Sequence, residues 1–266
     1  VNVGGPELLQ ICCGADNVKA GGKFPVAMIG AQVYATAKDH VTIEGVVTIK
    51  KGKLRGYESY GMLCSGTELG LNEDLYPGAG YNGLLVLPED AEIGSDVKEI
   101  TGLNDWIFDV SITANRPDCQ SIFGLAREVA AALGQPLKMP ALDYTETEVE
   151  KPGFDVTVEA PDLCPRYIAN YVYDVKLAQS PAWMRRRLAL VGNNSISNIV
   201  DITNYIMREL GQPLHAFDCD YLEGNAICVR RAAEGEKIVT LDEKEFTLNT
   251  NNLVICDGKK PVALAG

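Results

Sequence analysis

"SNIVDITNYIMRELGQPLHAFD", Ser197 to Asp218, decides how the second half of the chain is read. Ile199, Ile202, Ile206 and Leu210 recur at helical spacing and form one apolar stripe. The spacing predicts a helix over 197–210. Gly211 stands where a left-handed C-terminal cap belongs, and Pro213 prevents the helix from continuing. Thr203 and Asn204 interrupt the stripe with polar side chains, which cost free energy against a core unless they are bonded. Just beyond the rigid Gly-Gln-Pro turn comes His215, one of only 2 histidines. Each residue alone reads as structural. Three of them at one helix end make a candidate site wall.

Working outward, Ser180-Pro181 has N-cap and first-turn character and opens a helix to about Leu190. Upstream, "FDVTVEA" and "RYIANYVYDVKL" read as strands; downstream, so do "AICVRRA", "KIVTL" and "NLVICDG". Residues 138–153, with two prolines and four acidic residues, read as a linker. Before it, Ile122, Leu125, Ala126, Val129 and Leu133 share one helical face, with Gly134 past the end. "DWIFDVSIT" is a further strand candidate. In the first ~100 residues, "PELLQICCG", "GKFPVAMIGAQVY", "HVTIEGVVTIKKG" and "GLLVLPE" follow at the cadence of a small antiparallel sheet or barrel.

A length of 266 residues allows two or three compact domains. No apolar run approaches the ~20 residues a membrane span needs. The net charge of −12 argues against non-specific coating of nucleic acid but leaves room for local basic patches. Cysteines 12, 13, 64, 119, 164, 219, 228 and 256 form no Cys-x-x-Cys pair, so reduced thiols are expected, and no metal site is. Val1 reads as an interior residue and "PVALAG" as an unfinished strand, as in a piece of a longer polypeptide.

Two short motifs carry little. "GAGYNG" (Gly78 to Gly83) matches a dinucleotide-type glycine pattern, yet it precedes the apolar run Leu84 to Leu87 instead of following a strand, so a plain loop is the expectation. The triplet Asn193-Asn194-Ser195 is incidental as a glycosylation signal. "TIKKGKLRGYESYGMLCS" (Thr48 to Ser65) is more informative. Lys50, Lys51, Lys53 and Arg55, interleaved with Tyr57 and Tyr60, suit a nucleic-acid backbone and splayed bases, although composition alone favours a solvated hairpin. "WMRRRL" (Trp183 to Leu188) is a second basic spot, equally well read as a helix surface.

These residues resemble a known family, the bacterial phenylalanyl-tRNA synthetase β subunit. "VGGPELLQICCGADNVKAGGKFPVAMIGA" and "KLRGYESYGMLCSGTELGL" resemble its OB-type tRNA-binding domain, "SITANRPDCQSIFGLAREVAAALG" its resumed N-terminal domain, and the opening stretch its editing domain. The resemblance implies a multidomain α+β chain: an OB-type β-barrel over 1–100 lacking its first strand, part of a small N-terminal α/β domain over 101–137, the linker, and a C-terminally truncated mixed α/β editing domain over 154–266. It implies an α2β2 ligase in the cytoplasm, with the α subunit and tRNA(Phe) as partners. ATP and Mg2+ would serve the complete enzyme at a synthetic site in the α subunit, and neither is expected on this chain. Here the expected contributions are tRNA binding through Lys50, Lys51, Lys53 and Arg55, and hydrolysis of mischarged tyrosyl-tRNA(Phe).

For that hydrolysis the resemblance implies catalytic roles for His215, Asn204 and Thr203, and substrate binding by Pro213, Ala265 and Gly266. His215 would handle the attacking water, imidazole being a near-neutral base; Thr203 and Asn204 would orient the substrate. Backbone N–H groups at Ala265 and Gly266 would face the oxyanion, and a glutamate reading the phenol would lie beyond Gly266. The alternative is a tRNA-binding scaffold without active editing. A metabolic enzyme with no nucleic-acid partner has only the acidic net charge in its favour.

Overall fold

The computed structural model describes residues 1–141, 143–145 and 153–265. They are mixed α/β and divide into two compact units, residues 1–129 with 177–214 and residues 130–176 with 215–266. Most of the expected linker, and Gly266, lie outside the described residues.

In the first unit the strands come in separate antiparallel pairs: β1 (Val26–Met28) with β6 (Gly61–Leu63), β2 (Gln32–Thr36) with β3 (Ile43–Thr48), and β4 (Gly52–Leu54) with β5 (Tyr57–Ser59). Among the described residues no closed barrel forms, so the expected barrel is found only as these three ribbons. The reason is visible at the expected outer strands. Leu8 in "PELLQICCG" is exposed and that run stays irregular. "GLLVLPE" is buried at Leu84, Leu85 and Leu87 but bonds only at points: the Leu85 N–H donates to the Cys64 carbonyl (3.1 Å) and that of Leu87 to Lys23 (2.9 Å). Two small cores result, one around Val33, Ile49 and Cys64, the other around Leu71, Ala79 and Leu85.

The helices follow the sequence closely. α1 (Val97–Thr101) is capped by the Asp96 carboxylate, and α2 (Ile122–Leu133) ends before Gly134, whose φ of 61° is left-handed. α3 (Ala182–Leu190) packs on α4 (Asn198–Leu210). Ser197 caps α4 through its side chain, and Gly211, at φ 80°, closes it with an N–H to the Met207 carbonyl. Ser180 does not cap α3. Its hydroxyl goes instead to Asp201, and α3 starts after Pro181 without a side-chain cap.

In the second unit a four-stranded sheet runs β12-β11-β8-β7, from β7 (Asp155–Val158), β8 (Ala226–Arg231), β11 (Leu253–Cys256) and β12 (Pro261–Leu264). β7 is parallel to β8 and the other pairings are antiparallel. β9 (Lys237–Val239) and β10 (Glu245–Thr247) form a separate hairpin. Central β11 is buried on both faces: Leu253 joins Ile227 and Val229 on one, Val254 and Cys256 join Ile238 and Leu248 on the other. That explains the unbroken apolar "LVIC". Among the described residues two further expected strands are absent. "DWIFDVSIT" and "RYIANYVYDVKL" carry no strand pairing, and Trp106, Phe108, Ile168 and Val172 are exposed. Strand-like composition supplies apolar side chains, but a strand also needs a neighbour's backbone.

Candidate functional site

Thr203 and Asn204 sit half-buried in the middle of α4. The Thr203 hydroxyl donates back to the Val200 carbonyl at 2.7 Å, which accommodates a polar side chain inside the helix. Pro213 is exposed just past the Gly211 cap, and its carbonyl accepts from the Gln212 side chain at 3.1 Å. These three belong to the first unit; His215 and Ala265 belong to the second.

His215 is exposed, its ring 4.3 Å from that of Phe217 at an interplanar angle of 54°. Phe217 in turn packs against the core of Ala160, Leu222, Ile227, Val229 and Leu253. An anchored ring thus stands beside an exposed imidazole. Ala265 follows β12, and its N–H donates to the Leu253 carbonyl at 2.9 Å. That N–H is committed to the sheet. Gly266 lies outside the described residues.

The basic stretch forms the β4–β5 ribbon and the link leading into it. Arg55 and Gly56, at φ 51° and 93°, make the two-residue turn, the tight hairpin geometry whose twist suits its strands. Lys50, Lys51, Lys53 and Arg55 are all exposed. Lys51 is not a free charge: its Nζ pairs with Glu58 at 2.9 Å and lies 4.8 Å from the Tyr60 ring centroid, while the Tyr60 hydroxyl donates to Glu58 at 2.6 Å. Hydrogen bonds from Tyr60 and Lys51 hold the Glu58 carboxyl below its ordinary range. The ribbon thus presents Lys50, Lys53, Arg55 and the exposed Tyr57 beside a lysine already half neutralised.

"WMRRRL" is resolved differently. Arg185 is buried, its guanidinium donating to the Glu73 carbonyl (2.9 Å) and facing Asp74 (3.3 Å). Arg186 donates to the carbonyls of Thr101 (2.7 Å) and Gly102 at the end of α1, satisfying groups a helix C-terminus leaves open. Only Arg187 is exposed, 5.5 Å from the Trp183 ring centroid and bonded to the Tyr205 hydroxyl at 2.7 Å. Two of the three arginines are structural clamps.

Sequence reasoning missed the node that holds α4 in place. Asp201 is fully buried and accepts hydrogen bonds from the Ser180 and Ser195 hydroxyls and the Ile196 N–H (2.9 Å). Burial alone would raise its pKa; the combined hydrogen bonds outweigh burial and hold the carboxyl below the usual range. An acid between Val200 and Ile202, one turn from the cap, was the available signal.

The glycine-rich loop and the clustered donor set are each occupied by side chains of the chain itself. Both Gly78 and Gly80 of "GAGYNG" give their N–H groups to the Glu73 carboxylate, at 2.9 and 3.3 Å, so a phosphate would meet a resident anion. Among the described residues the one clustered donor set, Asp118, Cys119 and Glu128, surrounds Arg116, which pairs with Asp118 at 2.8 Å and Glu128 at 2.6 Å. A cation already fills it. Among the described residues no helix is long and apolar enough to cross a membrane.

Two family models match the chain, and the second takes in residues of both compact units. Residues 1–96 match the family described as "Putative tRNA binding domain", and residues 163–266 match the B3/4 domain. The chain is 49% identical to a phenylalanine–tRNA ligase β subunit of Syntrophus aciditrophicus, over 98% of its own length and 31% of the relative's. It is 48% identical to that of Nitratidesulfovibrio vulgaris and 46% to that of Bacillus cereus, over 100% of its length and 32% of theirs. The chain spans about a third of the length of these relatives.

Proposed function

Because the chain belongs to the phenylalanine–tRNA ligase β-subunit family, we infer that it supplies tRNA binding and part of a hydrolytic proofreading site to that ligase. Residues 1–96 are the tRNA-binding part, of OB type by resemblance, with Lys50, Lys53 and Arg55 as phosphate contacts and Tyr57 as a stacking surface. The α subunit, an α2β2 assembly, tRNA(Phe), and ATP with Mg2+ in the synthetic step belong to the complete cytoplasmic enzyme. No step through nucleotide or metal is assigned to this chain, whose glycine loop and acidic cluster are already filled.

Proofreading answers a physical need. A pocket shaped for phenylalanine cannot strongly reject an isostere that merely adds a hydroxyl; discrimination of roughly 10²-fold is typical. A second site that bonds the phenol discriminates in the opposite sense, because phenylalanine leaves its polar group unpaired. In the reading proposed here His215 takes a proton from water as the water oxygen attacks the ester carbonyl. The proton then passes to the departing ribose hydroxyl, releasing tyrosine and free tRNA. The roles of Thr203 and Asn204 in orienting the substrate and of Pro213 in binding it come from the family resemblance alone.

The observation that supports this reading most is His215 itself: an exposed imidazole braced on Phe217, following a rigidly capped helix that carries two half-buried polar residues. The alternative is a tRNA-binding scaffold without editing. Deacylation of tyrosyl-tRNA(Phe) by the complete enzyme separates them. Tyrosine-selective hydrolysis that collapses in His215→Ala places the histidine in the chemistry. Hydrolysis that survives demotes it to turn structure, and no hydrolysis in the wild type leaves the scaffold.

A further inference from the structure

We propose that Cys228 and Cys256 form a reversible oxidation site, a cross-strand dithiol that a peroxide converts to a disulfide. The proposal rests on no part of the editing assignment. Cys256 of β11 stands directly opposite Cys228 of β8 in the antiparallel register. Residues so opposed send their side chains to the same face. The cores agree: Cys228 packs on the cluster of Val254, Cys256, Ile238 and Leu248, whereas Val229 and Leu253 belong to the other face. Opposed antiparallel residues have Cα atoms about 4.5–5.5 Å apart, inside the roughly 4.4–6.8 Å that a disulfide spans. Both cysteines are free thiols.

Their surroundings assign an order to the two sulfurs. Arg230, two residues beyond Cys228 on the same face, brings a guanidinium near both, held in turn by Glu236 at 2.7 and 2.9 Å. Cys256 is buried, and burial pushes its thiol up to about 11, which makes it a poor first nucleophile. Cys228 is half-buried and meets the oxidant first. Its thiolate attacks one peroxide oxygen, the O–O bond breaks, and the departing hydroxide takes a proton to leave as water. The sulfur of Cys256 then attacks the sulfenic sulfur of Cys228, forming the S–S bond, and the sulfenic oxygen leaves with the remaining thiol proton as a second water. Two thiols and one hydrogen peroxide give one disulfide and two waters; an external dithiol reverses the step. The link would close a loop containing the whole β9–β10 hairpin.

The test uses the full-length β subunit in its complex with the α subunit. It is treated with hydrogen peroxide, capped with N-ethylmaleimide and digested for mass spectrometry. A peptide joining the 226–231 and 253–256 strands is expected, with loss of maleimide label at both cysteines that dithiothreitol restores. Cys228→Ser should abolish the linked peptide and leave Cys256 labelled. Persistent labelling of both cysteines while Cys12 or Cys13 is oxidised would overturn the proposal. So would Cys228 advancing to sulfinic acid with Cys256 still labelled, or a link from either to another cysteine. The wild-type measurement decides the matter even where a variant fails to fold.

Discussion

Ser180, ahead of α3, gives its hydroxyl hydrogen to the carboxylate of Asp201 in the first turn of α4, so a single buried acid joins the two helices. Ser195 and the Ile196 N–H complete the set from the intervening loop. Removing the acid strands two hydroxyls and an amide. Asp201→Ala should therefore cost about 2–4 kcal/mol, as loss of charge-assisted buried hydrogen bonds does, read as a lower urea midpoint with unchanged slope.

The same carboxylate has a pH signature. Its folded pKa lies below the ordinary 3.8, so its contribution is complete above that value and is lost as the pH falls through the lower folded pKa. Unfolding measured from pH 6 down to about pH 2 should show this acid-side loss in the wild type and a shallower one in Asp201→Asn. Equal slopes would mean that other carboxylates carry the dependence.

Binding of tRNA should separate Lys51 from its neighbours. If Lys50 and Lys53 meet phosphates as proposed, Lys50→Ala and Lys53→Ala should each weaken binding and reduce the log–log salt slope by about 1. Lys51→Ala should change the slope less, since Glu58 already balances that charge. Arg55 needs Asn or Gly as its replacement, because its φ of 51° would strain alanine. Titration of tRNA(Phe) at several salt concentrations checks all four.

Arg185 and Arg187 should behave oppositely although they are two residues apart. Arg185→Lys removes the Nη1 that reaches both the Glu73 carbonyl and Asp74 in a buried place and should cost about 2 kcal/mol. Arg187→Ala, on the surface, should stay within about 0.5 kcal/mol. Thermal unfolding of the two variants distinguishes clamp from surface.

Gly124 gives the sharpest steric prediction. An added Cβ would lie 1.8 Å from the Asp118 carbonyl oxygen, a backbone atom that cannot step aside. Gly124→Ala should destabilise by about 3 kcal/mol, despite alanine's better helix propensity. A neutral result in denaturant unfolding would show that the 3-10 turn over Pro117–Gln120 yields instead.

What was legible in the sequence follows from how local each signal is. α4 could be read nearly to the residue because its stripe, Ser197 and Gly211 all act within one helix. The strands β8, β11 and β12 were legible as apolar runs between turn residues. "DWIFDVSIT" and "RYIANYVYDVKL" have the same composition but no pairing partner, and partners are not written locally. Arg185 and Arg186 looked like surface charge because nothing near them in sequence names Glu73 or Thr101. The candidate site was legible as residue types at a helix end. The commitment of the Ala265 N–H was not, since it depends on where Leu253 sits in the neighbouring strand.

The uncovered run Trp106 to Phe108 also bears on how the molecule behaves in concentrated solution. Three bulky exposed apolar side chains in a row offer a sticky surface to any second copy that meets them. Asp105 and Asp109 bracket the run and act as charged gatekeepers, backed by a net charge of −12 that keeps copies apart. That protection is colloidal. It weakens as salt shortens the reach of the charges and disappears as the pH nears the isoelectric point of about 4.7, so clarity of a concentrated sample depends on dilute, mildly alkaline buffer.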